Sequence, residues 1–216
     1  MSDLRLPEHV HFCEVGEQRI FLDLLEDRYF SLPPLLDAAF SAIIGANEAA
    51  AASEVEALRH LGLLVAAPAG RQIEPTRHAL PDFSLVEDAD LVGGPSLPIL
   101  AEVLVLVLRA RRAVRRKRLP AELASAGRGA RPTPRDRRNR MVEAFLRARG
   151  LVPIAPNCLY DSLALRRFLR RRGIDVDLVI GAKLHPFAAH CWIQDETIVL
   201  NDSLASARGF VPILVA

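Results

Sequence analysis

Three side chains in the C-terminal half have the types that nucleophilic acyl transfer requires: Cys158, His190 and Asp202. A thiolate attacks a carbonyl carbon. An imidazole takes the thiol proton and later gives one to the leaving amine. A carboxylate holds the imidazole in the useful tautomer. Singly, each has an ordinary reading: a core cysteine, a satisfied core histidine, a turn aspartate. Their joint placement on the elements around them points to chemistry.

Pro156-Asn157-Cys158 heads an amphipathic helix. Asn157 is a good N-cap, and apolar residues recur at Leu159, Leu163, Leu165, Phe168 and Leu169. Arginines 166, 167, 170, 171 and 172 are expected on the other side and at the end, where they suit the negative pole, and Gly173 supplies the stop. The thiol therefore sits in a first helical turn, where unpaired N–H groups favour thiolate. Ile174–Gly181 alternates as a strand. After a loop with Pro186, Ala188–Gln194 is a second strand. Its period of two puts His190, Trp192 and Gln194 on one face and Ala189, Cys191 and Ile193 on the other. Asp195-Glu196 turns the chain, Thr197–Leu200 returns, and Asp202 lies just past the end, within reach of His190. Trp192 is placed to shield the imidazole from water. Cys191, on the opposite face, and Cys13, in a distant strand, read as core.

This stretch resembles the C-terminal domain of the lasso-peptide B proteins, transglutaminase-like leader peptidases. The features that carry the likeness are Cys158 before an amphipathic helix, His190 within Ala-His-Cys-Trp, the Asn201-Asp202-Ser203 close, and separations of 32 and 12 positions. The likeness covers about residues 95–216. It implies Cys158 as nucleophile, His190 as base and acid, and Asp202 as orienting carboxylate. The backbone N–H of Cys158 is expected in the oxyanion hole. Position 152, where a papain-like pattern would place a glutamine, is Val.

The composition allows one or two domains, with 50% hydrophobic and 6% aromatic residues. Three cysteines without framework spacing argue for a reducing compartment. No signal peptide is recognisable, and the apolar run Leu97–Leu108, interrupted by Glu102, is shorter than the roughly 20 residues a membrane span needs. A cytoplasmic location is expected. The net charge of +2 conceals a split. Residues 1–95 carry 16 acidic and 6 basic side chains, residues 96–216 carry 10 and 22. Two parts with different partners, or with each other as partner, would show this asymmetry.

In the first part, His9–Val15, Gln18–Leu24 and Arg28–Leu32 read as three strands separated by Gly16-Glu17 and Glu26-Asp27. Pro33-Pro34 starts a helix over 34–44, which Gly45 and Asn47 break. A second helix runs over about 51–61, and 63–66 is extended. Three strands and these helices make a winged-helix-like domain. The overall expectation is an α+β chain: a recognition domain over 1–67, a linker over 68–95 rich in Pro and Gly, and a transglutaminase-like or papain-like domain over 96–216. The acidic balance argues against DNA for the winged helix.

An exposed edge at the third strand offers instead to take an extended peptide as an added strand. The run Leu-Glu-Asp-Arg-Tyr-Phe-Ser-Leu-Pro and the helix pair after it resemble the leader-recognition element of ribosomal-peptide biosynthesis, similar to the small chaperone of pyrroloquinoline quinone synthesis. That resemblance implies a leader lying against Arg28, Tyr29, Phe30, Ser31 and Leu32, with Leu58 and Leu61 on the neighbouring helix.

From Leu97 a helix is expected to about Lys117, then a short helix from Pro120 to near Ser125, a basic loop over 127–134, and a helix over 136–149. The cations of 109–118 lack interleaved aromatics for nucleic acid and read as a solvated face, or as a docking face. No phosphate-binding glycine loop is present, so no cofactor is expected in this chain. The family resemblance implies a lasso-peptide precursor as substrate and an asparagine-synthetase-like macrolactam synthetase as partner, through which alone ATP and magnesium enter. The charge balance and the short apolar run lead to the expectation of no nucleic-acid partner and no membrane span. Three other readings stay open: transglutaminase-type transfer to an amine, a non-catalytic leader-binding chaperone, and metal ligation by His185, His190 and Cys191. The last is disfavoured because His190 and Cys191 face opposite ways.

Overall fold

The structure, a computed structural model, describes residues 4–45, 50–88, 93–123 and 133–216. The chain is α+β and divides into two compact units, Met1–Arg77 and His78–Ala216.

The first unit contains β1 (Leu4–Arg5), β2 (Val10–Val15), β3 (Gln18–Asp23), β4 (Arg28–Phe30), α1 (Pro34–Gly45), α2 (Ala52–His60) and β5 (Val65–Ala66). Strands β2, β3 and β4 form an antiparallel sheet in that order, and β1 pairs with β5. Gly16, at φ 62, turns the first hairpin. The three expected strands form, trimmed by one or two residues. Phe12, Phe21 and Phe40 meet with ring centroids 5.2 to 5.5 Å apart, and Leu58 and Leu63 close the core around them. Phe30 stacks on Phe21 at 5.3 Å, so Phe30 is the one of the Tyr29-Phe30 pair that packs on this core. The expected helix break at Asn47 lies outside the described residues.

The second unit contains β6 (Phe83–Ser84), α3 (Leu85–Asp88), α4 (Leu97–Arg115), α5 (Leu119–Leu123), α6 (Arg135–Leu151), α7 (Cys158–Arg170), β7 (Asp177–Lys183), β8 (Ala188–Asp195), β9 (Ile198–Val199), α8 (Leu204–Arg208) and β10 (Val211–Val215). Its sheet runs β10-β7-β8-β9-β6, antiparallel except for the β6–β9 pair. Helix α7 packs against β7 and β8 and against α4 and α6, with Phe145 of α6 and Phe168 of α7 5.5 Å apart. Most of the expected basic loop, residues 127–132, and the helix end near Ser125 lie outside the described residues. Among the described residues no helix is long and apolar enough to cross a membrane.

The structure departs from the sequence pattern in four places. The strand expected at Ile174–Gly181 begins at Asp177 instead. Leu178 to Ala182 are all buried, because both faces of this inner strand are covered and alternation is lost. Arg166, expected on the outer side of its helix, is only 4% exposed. It lies one turn beyond buried Ser162, on the inner face, and its Nε and Nη1 have no hydrogen-bond partner among the described residues. Helix α8 and strand β10 complete the sheet beyond the hairpin. Pro212 is tolerated in β10 because that strand is an edge, with a bulge at this point.

The fourth departure concerns the stretch 68–95, expected as a linker. Arg71 exchanges backbone hydrogen bonds with Leu6, and Thr76 N–H donates to Phe12 in the first unit. Residues 79–88 are bound into the second unit as a strap, described below. Residues 89–92 lie outside the described residues.

Candidate active site

Helix α7 begins where three side chains fix it. The Asn157 side chain accepts from Tyr160 N–H at 3.1 Å, and Asp161 Oδ2 accepts from Asn157 N–H at 3.1 Å. This is reciprocal capping, one residue longer than the usual box. Asp161 Oδ1 also takes Arg149 Nε at 2.6 Å, and the Arg149 guanidinium holds the carbonyls of Val152 and Ile154 at 3.5 and 3.0 Å. One arginine from α6 thus grips both the loop before Cys158 and the first turn that carries it. Asp161→Ala should cost about 3 kcal/mol, because it uncaps α7 and strips the countercharge from Arg149, a residue only 9% exposed. Urea unfolding measures this, and Asp161→Asn, which keeps an acceptor, should fall between.

Cys158 lies at the first position of α7, half-buried. The hydrogen bond with His190 lowers its thiol pKa against the opposing effect of burial, and the N–H groups of Cys191 and Leu159 add to the lowering. The thiols of Cys13 and Cys191 are pushed the other way by burial, Cys13 to about 12. His190 stands on β8 with its Nε2 on Asp202 Oδ2, which leaves Nδ1 as the nitrogen available to the thiol. The bonds to Asp202 and Cys158 raise its pKa to about 9, burial opposing. Burial alone would raise the Asp202 carboxyl. Hydrogen bonds from His190, Ser203 N–H and Ser206 together hold it below its usual value.

An aromatic wall backs the imidazole. The Trp192 ring lies 6.1 Å away and the Phe210 ring 5.1 Å away, with Lys183 Nζ 4.7 Å over Phe210. Trp192 is buried, and its Nε1–H donates to Gln194 Oε1 at 3.0 Å. The wall closes tightly because the residue opposite His190 on β7 is Gly181.

The strap 79–88 holds the carboxylate turn. Ser84 Oγ donates to the Asp202 carbonyl at 2.7 Å, Arg208 Nε to the Pro81 carbonyl at 2.7 Å, and buried Gln194 to the Ala79 carbonyl at 2.8 Å. Strand β6 joins β9, and Asp82 N–H donates to Thr197.

The structure thus brings Cys158, His190 and Asp202 together. Sequence reading missed Arg149, Asp161, Ser162, Ser84 and Ser206. Of these, only Asp161, in the first turn after an N-cap, carried a local signal. Among the described residues no group of three His, Cys, Asp or Glu side chains is arranged to hold a metal ion, and Cys191 is buried against Ser162.

A family model described as the transglutaminase-like superfamily matches residues 102–215, more than half of the chain. The chain belongs to the transglutaminase-like superfamily. The matched region begins within α4, runs to the end of β10 and leaves the strap outside. A shorter likeness links this superfamily member to the microcin J25-processing protein McjB of Escherichia coli, 45% identical over 47 residues. That stretch is 22% of this chain and 23% of McjB, so the likeness spans less than a quarter of either protein. No solved structure matches the chain.

In the first unit, the residues expected to meet a peptide are spread over two elements. Strand β4 is the outer strand of its sheet, and Arg28 Cζ lies 5.0 Å over the Phe30 ring. Ser31 is exposed and Leu32 partly buried. Of the two leucines expected beside the strand, Leu58 is wholly buried in the core, whereas Leu61 at the end of α2 is exposed.

Proposed function

We propose that this chain is a cysteine peptidase of lasso-peptide maturation, which binds the leader of a precursor and cleaves it from the core. The observation that carries the reading is the hydrogen-bonded line Cys158–His190–Asp202, with the thiol at a helix head and its pKa lowered. The superfamily match and the partial likeness to a microcin-processing protein support the substrate class of this reading.

In this reading the Cys158 thiolate attacks the scissile carbonyl, and the oxyanion faces the Cys158 backbone N–H. The His190 imidazolium protonates the leaving amine, and water, deprotonated by the then-neutral imidazole, releases the acyl group from sulfur. Asp202 keeps the ring aimed throughout and stabilises it whenever it carries the proton. No cofactor takes part in this chain. The freed core amine is the substrate of a partner synthetase of the asparagine-synthetase-like class, which would use ATP and magnesium. The first unit is the leader-recognition domain, winged-helix-like, and takes the leader along β4. Holding the leader raises the local concentration of the junction at the thiol.

The test is intact mass after mixing the protein with a candidate precursor, with and without the synthetase and ATP, beside a Cys158→Ala control. Loss of a leader-sized fragment, absent in the control, is expected. Tight precursor binding with no cleavage in any mixture would replace the peptidase with a leader-binding chaperone. Superfamily membership also keeps amine transfer in view. A product mass that includes an added primary amine rather than water would select it.

A further inference from the structure

The three elements that carry Cys158, His190 and Asp202 meet at a hydrogen-bonded chain that contains none of those residues. Among the described residues strand β9 covers β8 at Gln194 and Asp195 alone, so the edge of β8 beside Cys191 has no strand partner there on that side. Side chains cover it instead. Ile193 N–H donates to Asn201 Oδ1 at 2.7 Å, and Leu200 N–H donates to the Ile193 carbonyl at 2.8 Å. Asn201 Nδ2 donates to Ser162 Oγ at 2.9 Å, and Ser162 Oγ donates to the Cys191 carbonyl at 3.2 Å. Ser162 Oγ accepts at one end of the chain and donates at the other. Asn201 must present its oxygen to a backbone N–H and its nitrogen to a hydroxyl.

The positions of these residues give the chain its meaning. Ser162 stands one helical turn after Cys158 on the same face of α7. Cys191 follows His190, and Asn201 precedes Asp202. Ser162 is fully buried. In an antiparallel strand, residues two apart turn their backbone groups to the same edge. Ile193 and Cys191 therefore both face away from β7, and the Cys191 N–H is aimed at the Cys158 sulfur, where it acts as a donor.

We propose that Ser162 and Asn201 are positioning residues, which lock the nucleophile helix, the histidine strand and the carboxylate turn in one register and keep the Cys191 N–H on the sulfur. The inference rests on Cys158 being the nucleophile. The same N–H lies where it can follow negative charge from the thiolate to the attacked carbonyl oxygen, a donor from the backbone where Val152 offers no side-chain amide.

The experiment needs no precursor. The full chain is alkylated with iodoacetamide from pH 4 to 10, the modified cysteine is assigned by peptide mass, and urea unfolding is recorded on the same samples. In the unsubstituted protein Cys158 should react at pH values where an ordinary thiol is protonated, while Cys13 and Cys191 stay unmodified. Ser162→Ala and Asn201→Ala should each slow Cys158 at pH 6 by about ten- to a hundred-fold and move its profile toward an ordinary thiol. The double variant should be no slower than the slower single one, since both break a single chain. Ser162→Thr, which keeps the hydroxyl, should recover most of the rate. Asn201 is only partly buried, so Asn201→Ala remains readable if Ser162→Ala does not fold. An unchanged profile in folded variants, whether or not the urea midpoint falls, overturns the positioning role. A Cys158 that already behaves as an ordinary thiol in the unsubstituted protein overturns the nucleophile reading, and this inference with it.

Discussion

Asp202→Asn should leave the fold and the thiol in place and lower turnover by about 10^3- to 10^4-fold. Asp202 is the largest influence that keeps His190 charged up to about pH 9. An amide in its place removes the countercharge and can hold the ring in the wrong tautomer. The pH profile gives the sharper reading. In the proposed mechanism the working pair is thiolate with imidazolium, so activity should be lost in acid as the thiol takes its proton, below the ordinary thiol value because its pKa is lowered. It should be lost in alkali as His190 gives its proton up, near pH 9. In the variant the alkaline limb should retreat toward the ordinary imidazole value of 6.5, and the window should shrink from that side. Turnover of precursor against pH would show it. An alkaline limb that stays near pH 9 in the variant would mean that another group charges the ring.

Gly181→Ala should damage both stability and site. An added Cβ would sit 2.7 Å from the Phe210 Cβ and 2.9 Å from two atoms of the Trp192 ring, closer than real contacts allow. Neither neighbour can swing aside freely. Trp192 is buried and tied to Gln194, and Phe210 lies between His190 and Lys183. Overpacking of this kind costs about 1–3 kcal/mol. Because Gly181 is the register partner of His190, the strain reaches the imidazole first. A lowered urea midpoint together with slower Cys158 alkylation is expected. A normal midpoint with normal alkylation would show that the wall yields.

Much of the site was legible in sequence because its carriers obey local rules. An Asn N-cap before an amphipathic run locates Cys158 at a helix head. Period two places His190 and Trp192 on one face, and a short hairpin returns the chain to Asp202. The supports were hidden because they are distant and polar. Ser84 meets Asp202 across 118 positions, and a two-residue strand such as β6 has no periodicity to detect. Ser162 sits among apolar residues as though it were a flaw in the helix pattern. Arg166 read as surface because arginines usually are. In the first unit, alternation and turn residues sufficed for the sheet, whereas the family resemblance gave Leu58 and Leu61 the same part although one is core and the other surface.

The strap has a practical consequence for anyone dividing the gene. Hydropathy invites a cut near residue 96, and the family match invites one near 102. Either would deliver a sheet without its β6 edge, a Gln194 amide without the Ala79 carbonyl, and an Asp202 turn released from Ser84. A piece starting at His78 keeps all three. The second unit is therefore longer at its N-terminus than its family signature, by about two dozen residues that in sequence are rich in proline and glycine.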